Sequence, residues 1–161
     1  MGIRRAALAL LVALTLTSAA CNGDDDETEH APGSDRTTDA DCAARIPDSV
    51  FDGLRWSPAE PAEATVRGCH RETEQGYVEV DDDTGYDRLC ATLDRRGGKK
   101  PGRPVDWLEG RTACAVEPEG GVGTTKVVVE GRGDLATVVT VVALTPTDQA
   151  LVREAVATLA G

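Results

Sequence analysis

Aromatic side chains are scarce: Phe51, Trp56, Tyr77, Tyr86 and Trp107 are the only five among 161 residues. So few rings exclude a broad stacking platform for sugars or bases. Bases are outnumbered, with 17 Lys and Arg against 28 Asp and Glu for a net charge of −11. Nucleic-acid binding needs clustered Lys and Arg on the phosphates, and this balance argues against it. Histidine is reduced to His30 and His70, and neither G-x-S-x-G nor H-E-x-x-H occurs. That removes most histidine metal sites and most serine-hydrolase triads. Close cysteine pairs are also missing: the last four cysteines lie 27, 21 and 24 residues apart. Zinc sites use tighter spacings such as C-x-x-C. Nothing in the sequence calls for a cofactor.

What is present divides into three compositions. Residues 1–20 carry Arg4 and Arg5 and no acid, then the apolar stretch Ala6–Leu16 and a small-residue end, Thr17–Ala20. A stretch of eleven residues falls well short of the roughly 20 that span a bilayer, and the pattern is that of an export signal. Residues 21–41 hold eight acids against Arg36 alone. Their mutual repulsion, with Gly, Pro and Ser among them, predicts a solvated tether with a reach of about 25 Å. Residues 42–161 hold 20 acids and 14 bases and are expected to form a single domain. The hydrophobic fraction of 40% suffices for a core.

Within that domain, Pro47–Leu54 reads as a short helix and Gly85–Arg96 as an amphipathic one with Tyr86, Leu89, Cys90 and Leu93 on its apolar stripe. Thr65–Arg71 and Gly76–Asp81 read as a hairpin, with Tyr77, Glu79 and Asp81 facing one way and Val78 and Val80 the other. Three further strands are expected over Arg111–Glu117, Thr124–Glu130 and Asp134–Ala143, the last two rich in β-branched residues. A final helix is capped by Thr145, with Pro146 in its first turn, and lines Leu151, Val152, Ala155, Val156 and Leu159 along one face. The predicted class is α+β: an antiparallel sheet of about five strands, helices on one face, in the order helix, two strands, helix, three strands, helix.

Five cysteines are an odd number for an exported chain. Assigning Cys21 to lipid leaves Cys42, Cys69, Cys90 and Cys114 to pair completely in an oxidising compartment. The favoured pairing is Cys42–Cys69 and Cys90–Cys114, each joining a helix-side cysteine to a strand-side one. Cys69 beside His70 also evokes a thiol nucleophile, but a bridged sulfur cannot serve as one. The one basic cluster, Arg95, Arg96, Lys99, Lys100 and Arg103, suits an anionic envelope polymer or an acidic partner. Asp81, Asp83 and Asp87 alternate as in a calcium loop, but Gly85 and the missing distal acid break the EF-hand pattern. Trp56 and Trp107 are read as packing residues. Glu72, Glu74 and Glu79 are read as surface charge around a hairpin turn.

Ser18-Ala19-Ala20-Cys21 resembles a bacterial lipobox, with Ser18 where leucine is usual. With the acidic tether, Cys42, Cys69 and the closing run LTPTDQALVREAVATLAG, the chain resembles small actinobacterial secreted lipoproteins of unknown function over most of its length. The usage of 14 Arg, three Lys and a single Asn fits a high-GC genome. The resemblance implies attachment through lipid on Cys21 to the outer face of the cytoplasmic membrane. Three functions remain open on sequence grounds: a binding or accessory module for an envelope component or protein partner, an extracytoplasmic enzyme using carboxylates, and a structural or inhibitor-like disulfide domain.

Overall fold

The computed structural model describes residues 37–93 and 101–161. Thr38 opens the fold by accepting a hydrogen bond from the Asp41 amide, while the Asp41 carboxylate accepts one from the Thr38 amide. This capping box starts α1 (Asp39–Arg45) three residues before the boundary expected at 42, inside the presumed tether. After the Ile46-Pro47 break, α2 (Asp48–Leu54) buries Val50, Phe51 and Leu54.

The strands follow as β1 (Glu63–Ala64), β2 (Gly68–Thr73) and β3 (Gly76–Thr84). Then come α3 (Tyr86–Thr92), β4 (Arg103–Pro104), β5 (Ala113–Val116), β6 (Gly123–Glu130), β7 (Leu135–Ala143) and α4 (Gln149–Leu159). They form one seven-stranded sheet in the order β1-β2-β3-β7-β6-β5-β4, with every neighbouring pair antiparallel. The chain thus walks from one edge to the centre, crosses by way of α3 to the far edge, and walks back. The halves meet where Gly76–Thr84 pairs with Leu135–Ala143 over nine residues.

The α+β class, the antiparallel sheet and two disulfides agree with expectation. The strand count does not. The added strands, β1 and β4, have two residues each and form the two edges, too short for any periodicity to reveal. The placement of helices on a single face is also corrected. α1, α2 and α4 cover one face, where Ile46, Phe51, Leu54 and Val156 pack on Val78, Val80, Val127, Val139 and Val141. α3 lies on the opposite face, where Tyr86, Leu89, Cys90 and Leu93 pack against Cys114, Val128, Ala136 and Val138. Alternation along a strand puts Val127 and Val128 on opposite faces, so a continuous valine run needs cover on both sides.

The start of α4 differs as well. Asp148 caps it by accepting from the Ala150 amide at 2.9 Å, in place of Thr145. The Thr147 amide donates to the Gly121 carbonyl at 2.8 Å, and its hydroxyl accepts from Trp56 Nε1 at 3.0 Å. Those bonds engage Thr147 outside the helix, which begins at Gln149. A Cβ on Gly121 would sit 2.7 Å from the Thr147 carbonyl oxygen, so only glycine permits the approach.

Candidate functional site

The two sheet faces are unequally covered. Gly85, at φ 78°, turns the chain from β3 into α3 in a backbone conformation that favours glycine. The Cys90–Cys114 disulfide then fastens α3 over β5, while Cys42–Cys69 ties α1 to β2 on the other face. With its seven residues, α3 shields only part of its face. Beside it, among the described residues, α3 and the strands line a concavity of about 650 Å³.

Register dictates what lines it. One cross-strand row places His70, Glu79, Thr140, Lys126 and Val116 side by side on β2, β3, β7, β6 and β5. The next row toward α3 sets Asp81 beside Val138 and Val128; the row away from it sets Tyr77 beside Val142 and Thr124. The concavity therefore has an apolar wall, Leu89 and Leu93 against Val128 and Val138, and a polar floor bearing both signs of charge.

His70 sits at the rim between two carboxylates, with Nδ1 3.3 Å from Glu79 Oε1 and Nε2 3.6 Å from Glu72 Oε2; its ring lies 5.3 Å from that of Tyr77. Burial pushes the Asp81 carboxyl above its ordinary range, and the neighbouring Glu79 adds to the shift against the opposing pull of Lys126, Arg67 and Arg45. Burial likewise raises the Tyr77 phenol, helped by Glu79. Asp83 is engaged by Arg88 at 3.4 Å and Arg67 at 3.7 Å. Lys126 makes no ion pair among the described residues.

No protein-family model, curated protein or solved structure matches this chain.

Of the residues singled out from sequence, Asp81 and Asp83 share a face of β3, while Asp87 stands exposed in the first turn of α3. Among the described residues no three of His, Cys, Asp and Glu gather as a metal-holding group. Arg95, Arg96, Lys99 and Lys100 lie outside the described residues. Arg103 is exposed on β4, at a smaller cleft of about 360 Å³ that also holds Trp107, Glu117 and Arg153. There Arg153 donates from Nε and Nη2 to the two Glu117 oxygens at 2.6 and 2.7 Å, and its guanidinium lies 5.7 Å from the Trp107 ring centre. The arginine hydrogen bonds hold Glu117 below the usual carboxylate range. This cluster clamps α4 to the end of β5. Trp56 is buried, as a packing residue would be. Cys69 is bridged, so no thiol stands beside His70.

Sequence reasoning missed Lys126, Thr140 and the role of Glu79. Glu79 points into the concavity, whereas Glu74 stays exposed at the turn. The alternation of β3 carried half the signal, because it set Tyr77, Glu79 and Asp81 on one face. The other half lies on β6 and β7, whose residues reach β3 only through long-range pairing.

Proposed function

We propose that this protein is a lipid-tethered extracytoplasmic lipoprotein that acts as a binding module, taking its ligand or partner in the open concavity of the sheet. One observation carries the reading: among the described residues three helices pack on one sheet face, while the other carries a single disulfide-braced helix with a concavity beside it. A half-open, chemically mixed recess on a rigid scaffold is the usual form of a ligand site. Export and anchoring draw support from the cysteines. Cys42, Cys69, Cys90 and Cys114 consume one another, so neither bridge uses Cys21. The anchor this reading invokes is lipid on Cys21; among the described residues no helix is long and apolar enough to cross a membrane. Partners are an envelope polymer or an envelope protein.

The test is photocrosslinking in intact cells from Thr124, exposed at the mouth, with Thr158 on the exposed side of α4 as the control position. Specific capture from Thr124 alone supports the module. Equal capture from both positions, or none from either, overturns it.

Asp81 favours a second reading, an extracytoplasmic enzyme using carboxylates, because a carboxyl raised by burial in a recess suits general acid–base work. Hydrolysis of a chromogenic ester, glycoside or peptide by the native chain, lost in Asp81→Asn, supports it. Failure of the native chain on all three retires it.

A further inference from the structure

The charges in the concavity are arranged in an unusual way. Glu79 and Lys126 occupy the same cross-strand row on strands separated by β7, which puts their backbones about 9–10 Å apart at the spacing of neighbouring strands. They make no ion pair with each other; Glu79 Oε1 stands instead 3.3 Å from His70 Nδ1. Asp81 and Asp83 follow Glu79 on the same face of β3, so three carboxylates gather there; Asp83 is engaged by Arg67 and Arg88, which leaves Glu79 and Asp81 on the β3 side facing Lys126 on the β6 side. Between them sits Thr140, 7% exposed. Its side chain lines the concavity. A buried hydroxyl calls for a hydrogen-bond partner. The apolar wall from α3 runs alongside this row.

We infer that the concavity takes a small zwitterion: a primary ammonium held by Glu79 and Asp81, an oxyanion held by Lys126 and the Thr140 hydroxyl, and an apolar group against Leu89, Leu93, Val128 and Val138. The inference rests on the reading of the concavity as the binding site. Opposite charges held apart across a recess cannot satisfy each other and are complementary to a ligand that carries both. The same chemistry occurs in the free ends of a short apolar peptide and in an ethanolamine phospholipid headgroup.

Calorimetric titration of the purified full chain separates these sources. The probes are Leu-Leu, its N-acetyl and C-amide forms, and vesicles of phosphatidylethanolamine or phosphatidylglycerol. The expected result is binding of Leu-Leu or of phosphatidylethanolamine alone. For Leu-Leu, each cap should weaken binding by about tenfold or more, the loss of one charge-assisted contact. Lys126→Gln should remove the discrimination against the amide and Glu79→Gln the discrimination against the acetyl form, each with unchanged circular dichroism. For the lipid, both variants should lose selectivity over phosphatidylglycerol. Capped and uncapped peptides binding equally, or neither zwitterion binding, overturns the inference. If crosslinking from Thr124 still captures a ligand in that case, the binding-module reading survives; if it does not, both fall.

Discussion

Arg71 shows how much a single residue contributes to this fold. It lies on the covered face of β2, only 7% exposed. Its guanidinium donates to the Ile46 carbonyl at 2.8 Å, the Glu60 carbonyl at 3.1 Å and Asp48 Oδ1 at 2.7 Å, with the Phe51 ring 5.3 Å away. One planar fork thus satisfies the backbone at the α1–α2 break and at the approach to β1. Arg71→Leu leaves those carbonyls unsatisfied and should cost about 2–4 kcal/mol, measured by urea denaturation. Arg71→Lys should recover only part, because an ammonium cannot reach three acceptors in a plane.

Asp81 acts in the opposite sense. Its folded pKa is raised, so between the ordinary carboxylate value and the folded value the native state holds more protons than the unfolded chain, and stability falls as pH rises through that window. Asp81→Asn should therefore raise the melting temperature at neutral pH and leave it unchanged below the carboxylate range. A melting-temperature series against pH checks both arms.

At the scale of elements, both sheet edges are closed by two-residue strands. The Glu60 and Thr65 amides extend the pairing along β2, and Pro104 cannot donate outward from β4. Short edges, one of them bearing a proline, resist strand addition, which directs a partner to the face beside α3. That face depends on α3, and α3 depends on its disulfide. Replacing Cys90 and Cys114 together with alanine should cost about 3 kcal/mol and release α3 from Val128 and Val138. Increased binding of a hydrophobic dye, absent in the native chain, is the expected readout. The clamp on α4 has its own pH signature. Glu117 is held low by Arg153, so its stabilisation is complete above the usual carboxylate range and is lost as pH falls through the lowered folded value. Denaturation of Glu117→Gln should lack that acid-side loss.

For the whole molecule, the charge of −11 belongs to no single region: eight acids sit in residues 21–41, and the domain carries the rest with bases interleaved. The proposed lipid anchor is tested by fractionation. Cys21→Ser should move the protein from the membrane fraction to the medium, and globomycin should accumulate the precursor of the native chain. Recovery of both proteins from the medium alike would exclude lipidation.

The sequence by itself determined the elements with strong period: the valine strands, the alternation of β3, the apolar stripes of α3 and α4, and a cysteine set that could close only in pairs. These are local properties, because burying a face requires its residues to recur at the element's own spacing. Only the tertiary structure decided which face each helix covers, where the edge strands fall, and that Glu79, Thr140 and Lys126 share one row. Those facts depend on β3 meeting β7 across more than 50 residues of chain, a pairing set by the packing of the whole sheet, which no stretch of the sequence encodes alone.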